Sequence, residues 1–139
     1  MIKKYKLTDG AYHTNDKILY RIQALEDFGD VKKGELGGFV QNENNLSHKG
    51  DCWIYENAKV YGEAKVYDNA KVCGEAKVYD KAEVYGEAKV YEKAKVCGEA
   101  KVYEKARVGG YALIHGSAKV FRYSRVRGSM VRFGNSKIG

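Results

Sequence analysis

From Asn57 to Arg107, small apolar and polar positions alternate in a six-residue unit that hardly drifts: Asn-Ala-Lys-Val-Tyr-Gly, Glu-Ala-Lys-Val-Tyr-Asp, Asn-Ala-Lys-Val-Cys-Gly and onward. In an extended segment successive side chains point to opposite faces. Ala58 and Val60 then share one face, and Lys59 and Tyr61 the other. The Ala/Val face is the predicted interior, because it stays small and apolar from Ala64/Val66 to Ala106/Val108. The first of the two remaining slots alternates Gly62, Asp68, Gly74, Asp80, Gly86, Glu92, Gly98, Glu104, Gly110. Gly, and Asp better than most residues, accepts the positive φ of a sharp bend. Each unit is therefore one short strand and one corner. Ala, Lys and Glu favour helix, but apolar residues spaced two and then four apart leave no lasting helical stripe.

Such periodicity predicts an all-β parallel β-solenoid, in which each unit buries its apolar face against its neighbours. The register runs back to Cys52/Ile54 and, more loosely, Leu46/His48. It runs on through Ala112/Ile114, Ala118/Val120, Ser124/Val126, Met130/Arg132 and Ser136/Ile138. At three strands per coil this makes about five coils and a rod of ~25 Å. The alternation of Gly and acid repeats every twelve residues, which suits a rival flat roll with two strands per coil. Three is preferred, because tandem duplication of a twelve-residue segment accounts for the alternation without geometry.

Units such as Val60-Tyr61-Gly62-Glu63-Ala64-Lys65, an aliphatic residue followed four later by a small one, resemble the hexapeptide-repeat family of left-handed triangular β-helices. The slot after the aliphatic residue departs from the family, carrying Tyr or Cys where Gly or a small residue is favoured. The resemblance covers about residues 45–139 and implies the fold. It leaves activity open, since the family spans acyltransferases, nucleotidyltransferases and plain scaffolds. The cadence also resembles, in style rather than by motif, small uncharacterised proteins of bacteria, phages and prophages.

Residues 1–44 do not repeat and are expected to cap the coil end, with residues 45–139 as the solenoid. Lys17 to Leu25 and Tyr5 to Leu7 read as strands, Asp9-Gly10 as a turn, and the stretch from Glu26 to Val40 as turn-rich. Gly37-Gly38-Phe39 is an alternative binding element. Gly34 to Gly38 lacks the ending of a phosphate loop.

The 139 residues include no Pro and no apolar run long enough for a membrane span. Met1 to Lys6 lead into polar sequence, unlike a signal peptide, so the expectation is a cytoplasmic protein without membrane partners. Cys52 falls in an inward slot. Cys73 and Cys97 fall in the Tyr slot, on different faces if coils have three strands. Neither a disulfide framework, a metal site nor any other cofactor is expected.

Charge is uneven. Residues 109–139 carry six basic and no acidic side chains, which accounts for nearly all of the net +7. The candidate binding residues are Lys119, Arg122, Arg125, Arg127 and Arg132, interleaved with Tyr111, Phe121, Tyr123 and Phe133. Arg suits bidentate contact with phosphate or carboxylate, so nucleic acid or an acidic protein surface is the expected partner. Alternatively, charge on the last coils prevents end-to-end stacking, which suits Arg132 in its inward slot. At eighteen residues per coil, Lys71, Lys89, Arg107 and Arg125 form one column. Tyr67, Tyr85, Tyr103 and Phe121 form a second, and Tyr61, Tyr79, Cys97, His115 and Phe133 a third. The tyrosines are expected to meet edge against edge. Glu63, Glu75, Glu87 and Glu99 each precede a Lys by two residues and neutralise the repeat body.

Resemblance to the hexapeptide acyltransferases implies a His general base in a cleft between subunits of a trimer, usually with an inserted loop. Of His13, His48 and His115, only His115 lies on the rod surface, without a carboxylate near it in sequence. The register from Cys52 leaves no room for a loop. The sequence expectation is therefore a non-catalytic binding protein that presents a basic, aromatic surface to a host protein, nucleoprotein complex or nucleic acid. The phage-like cadence extends this to an inhibitor of a host defence complex such as a CRISPR effector. The alternatives are an acyltransferase using His115 and a self-assembling rod. The flat faces are compatible with a dimer or trimer.

Overall fold

A computed structural model describes residues 3–14, 16–129, 131–132 and 134–139. Strand β1 (Tyr5–Thr14) pairs antiparallel with β2 (Lys17–Ala24), which pairs antiparallel with β3 (Leu36–Val40). Two-residue strands then recur every six residues, from β4 (Trp53–Ile54) to β18 (Lys137–Ile138). They stack as a parallel β-solenoid of about five turns. The Lys59 amide donates to the Ala76 carbonyl at 2.9 Å and that of Tyr61 to Val78 at 3.0 Å. Lys59 faces Lys77, and Lys77 faces Lys95. The coil is thus eighteen residues with three sides, and the two-strand roll is excluded.

The first sheet holds β1, β2, β3 and the strands starting at Lys59, Lys77, Lys95, Leu113 and Val131. The second starts at Lys65, Glu83, Lys101, Lys119 and Lys137, and the third at Trp53, Lys71, Lys89, Arg107 and Arg125. Ala and Val point inward as expected and are sealed from solvent from Ala58 to Val120. Tyr rings follow the Val positions on the outside. They stack face to face, not edge on: Tyr67–Tyr85 at 4.8 Å, Tyr85–Tyr103 at 5.1 Å, Tyr103–Phe121 at 5.3 Å, all within 10° of parallel. In-register strands carry each ring directly over the last, which leaves the flat faces in contact.

The twelve-residue alternation, which the duplication argument explains without geometry, has a geometric consequence. A coil is one and a half such periods, so the acid corners from Glu56 to Glu92 each lie against a Gly corner of the next coil; Glu104 meets Arg122 instead. Asp68 Oδ2 accepts from the Gly86 amide at 3.1 Å, and Glu56, Asp80 and Glu92 do the same for Gly74, Gly98 and Gly110. The acids themselves adopt positive φ, from 54° to 58°. A Cβ on Gly86 would lie 2.8 Å from the Glu104 nitrogen, so this corner requires Gly.

The N-terminal segment closes one end. Asp9-Gly10 is no turn. It lies inside β1, where pairing slips between Leu7 and Ala11. Thr8 Oγ1 absorbs the slip, donating to the Arg21 carbonyl at 2.9 Å and accepting from the Gly10 amide at 3.2 Å. The stretch from Leu36 to Val40, expected as turn, is a strand that pairs parallel with Lys59–Val60. Its glycines permit close approach: a Cβ on Gly38 would lie 2.4 Å from the Ala58 carbonyl oxygen. Trp53, Tyr5, Leu46 and Ile22 fill the closed end, where Ala and Val would leave voids. Buried Lys4 donates to the Cys52 carbonyl at 2.7 Å and the Gly50 carbonyl at 3.0 Å. Asn45 Nδ2 caps the Ala64 carbonyl at 2.8 Å.

Candidate functional site

The three imidazoles have different surroundings. His13 is exposed on β1. His48 stacks on Tyr5 at 4.1 Å, its Nδ1 accepts from the Lys4 amide at 3.2 Å, and its Nε2 lies 2.8 Å from Glu43 Oε1. With Nδ1 as acceptor, Nε2 carries the proton to the carboxylate. No lone pair remains to accept a substrate proton, so His48 is a clamp between cap and coil. His48 and then Lys3 hold the Glu43 carboxyl below the usual range.

His115 follows the strand Leu113–Ile114 on the first sheet and is half-buried. It stands one coil beyond Cys97, in the column that begins with the stacked pair Tyr61 and Tyr79. Burial, and then a hydrogen bond with Cys97, push the Tyr79 hydroxyl above its ordinary range. Burial also pushes the Cys97 thiol up, the opposite of an activated nucleophile. The Gly116–Ser117 corner that follows His115 rests on Gly98–Glu99, with the Glu99 amide donating to the Gly116 carbonyl at 2.7 Å. Glu99, sixteen residues earlier in the chain, is thus joined through its backbone to the residue after His115, a neighbour that a search along the chain misses. The eighteen-residue coil is the signal that reveals it. A groove of about 570 Å³ runs along this edge, lined by Gln41, Tyr61, Asp80, Lys81, Gly98 and Glu99.

The basic and aromatic candidates are spread over several faces. Lys119 and Phe121 lie on the second sheet, Arg125 and Arg127 on the third, and Arg122 and Tyr123 on the edge between them. Tyr111 occupies the edge between third and first sheets, and Arg132 the first sheet. Arg132 is half-buried opposite Ile114, its Nη1 donating to the Val131 carbonyl at 3.0 Å. Phe133 and Met130 lie outside the described residues. The aromatics meet cations of neighbouring positions: Lys93 Nζ lies 5.5 Å from the Tyr111 ring, Lys105 Nζ 5.4 Å from Tyr123, and the Arg122 guanidinium 5.6 Å from Phe121. Cys73 and Cys97 fall on different sheets as expected, and all three cysteines are free thiols. Among the described residues, no helix is long and apolar enough to cross a membrane.

No family model matches the chain. Over 46 residues, 32% of this chain, it is 44% identical to the uncharacterized acetyltransferase YdcK of Escherichia coli (strain K12), and the match spans 14% of that protein's length. This match overturns the expectation of a protein without enzymatic activity, which rested on the absence of a carboxylate near His115 in sequence and on the unbroken register. Neither fold nor match supports a phage-borne inhibitor. The three-sided solenoid and the partial acetyltransferase likeness together fit the hexapeptide-repeat family.

Proposed function

We propose that the protein is a hexapeptide-repeat acyltransferase, moving an acyl group from a thioester such as acetyl-CoA to a small amine or hydroxyl acceptor. The observation that carries this is the partial identity with an acetyltransferase, set on a solenoid of the same repeat. His115 is the general base. Its imidazole takes the proton of the acceptor as nitrogen or oxygen attacks the thioester carbonyl. The new C–N or C–O bond forms, the C–S bond breaks, and the proton passes to the departing thiolate. Glu99, whose amide is bonded to the carbonyl of the residue after His115, is the carboxylate we assign to orienting the imidazole, and we assign the substrates to the groove that Glu99 lines.

The enzymes this chain resembles build their site between subunits, so a trimer is part of the proposal. The strands keep their six-residue spacing from Trp53 to Ile138, which leaves no inserted loop to line a donor site. A second copy of the chain would supply that wall.

Thiol release from acetyl-CoA, measured with a panel of amines, amino sugars and hydroxy compounds, tests this directly. The expected outcome is turnover that falls about 100-fold or more in His115→Ala, with an unchanged melting temperature. Equal turnover in wild type and His115→Ala would remove His115 from the mechanism. A wild-type protein that neither binds nor consumes acetyl-CoA would end the proposal.

A further inference from the structure

On the third sheet Lys71, Lys89, Arg107 and Arg125 face one another in register, one per coil. At ~4.8 Å per rung the row runs ~14 Å. The other two sheets treat this slot differently. On the second, Glu83 stands between Lys65 and Lys101 and neutralises the row. On the first, the lysines give way to Leu113 and Val131. Only on the third sheet does an unbroken cationic row end in two guanidiniums. A groove of about 480 Å³ borders it, lined in part by Lys71, Lys89, Lys105 and Arg107. The acids near it are Asp30, 3.5 Å from Lys71, and Asp51 and Glu87 in the groove wall. Among the described residues, Arg107 Nη1 is buried and has no hydrogen-bond partner.

We infer that this row is a binding site for a linear chain of phosphate groups. A guanidinium donor buried without an acceptor is completed by an anionic oxygen. Even spacing in one direction matches a ligand whose charge repeats along its length. A protein partner would need aromatic or aliphatic anchors at the centre of the patch. The rings on this face, Tyr55 and Tyr91, are half-buried and do not stand out as anchors: Tyr91 lies against Gly109, where an added Cβ would come 2.4 Å from the ring. Exposed Arg127 follows Arg125 on the same sheet, so the site absorbs part of the C-terminal basic cluster. It stands on a different sheet from His115 and does not rest on the acyl-transfer proposal.

Two probes distinguish the sources of such a chain: inorganic tripolyphosphate, and a random single-stranded DNA oligonucleotide. Binding is measured by calorimetry and anisotropy at fixed ionic strength. The expected result is binding of at least one probe, weakened about tenfold or more in Arg107→Glu and within about twofold of wild type in Lys101→Glu. Lys101→Glu makes the same charge change on the second sheet. Tripolyphosphate binding assigns the site to the phosphate chain itself, and binding of DNA alone assigns it to a nucleic-acid backbone. Arg107→Gln, which removes the charge without reversing it, is expected to lose most of the binding and guards against misfolding of the Glu variant. Failure of both probes to bind wild type overturns the inference. So does equal weakening in Arg107→Glu and Lys101→Glu, which would reduce the effect to net charge.

Discussion

A single carboxylate at a corner does two jobs. Asp68 adopts a φ of 58° and accepts the Gly86 amide at 3.1 Å. Asp68→Ala is expected to destabilise by about 1–2 kcal/mol through loss of the charged acceptor, and Asp68→Asn by less, measured by urea unfolding. Gly86→Ala combines strain at positive φ with a clash against the Glu104 backbone, so a loss of about 2 kcal/mol or more is expected. At the closed end, His48 and Lys3 lower the Glu43 carboxyl in the folded state. A depressed carboxylate stabilises the fold in full above its unfolded value of about 4.3 and loses that contribution as pH falls through the folded value. Melting curves of wild type and Glu43→Gln should therefore differ at pH 7 and converge in strong acid. These corner and clamp contacts join residues far apart in the chain, which is why the Gly/acid alternation was legible as a pattern but not as a set of contacts.

At the level of strands, the faces were legible and their partners were not. Alternation of Ala58, Lys59, Val60 and Tyr61 is enough to send two side chains in and two out, because a strand has period two. Which side chains then stack depends on the number of residues per coil, and that is a property of closure. The β1–β2 hairpin was half legible for the same reason. Its apolar runs mark strands, but the turn signal at Asp9-Gly10 is overridden by the Thr8 hydroxyl. The second sheet offers a test of the stacked rows. Glu83 lies between Lys65 and Lys101 and accepts from the Tyr67 hydroxyl at 2.7 Å. Glu83→Lys would leave five cations in register. Its expected cost is about 1 kcal/mol at low salt, shrinking as salt is added, in denaturation series at two ionic strengths.

Over the whole molecule, large side chains are concentrated at one end. The coils are filled by Ala and Val, while Trp53 and Tyr5 close the base with no more than 1% exposure. Trp53→Ala should cost about 3–5 kcal/mol, more than any single Val→Ala in the coils, and circular dichroism melts would compare them. The pairing of an eighteen-residue turn with a twelve-residue alternation also acts as a vernier on any lengthening of the rod. Inserting twelve residues would keep acid set against glycine but carry everything downstream two sides around, moving the imidazole of His115 onto the sheet of the arginine row. Inserting eighteen would return each group to its side while setting glycine upon glycine. Thirty-six is the shortest addition that keeps both the side of every group and the setting of acid against glycine.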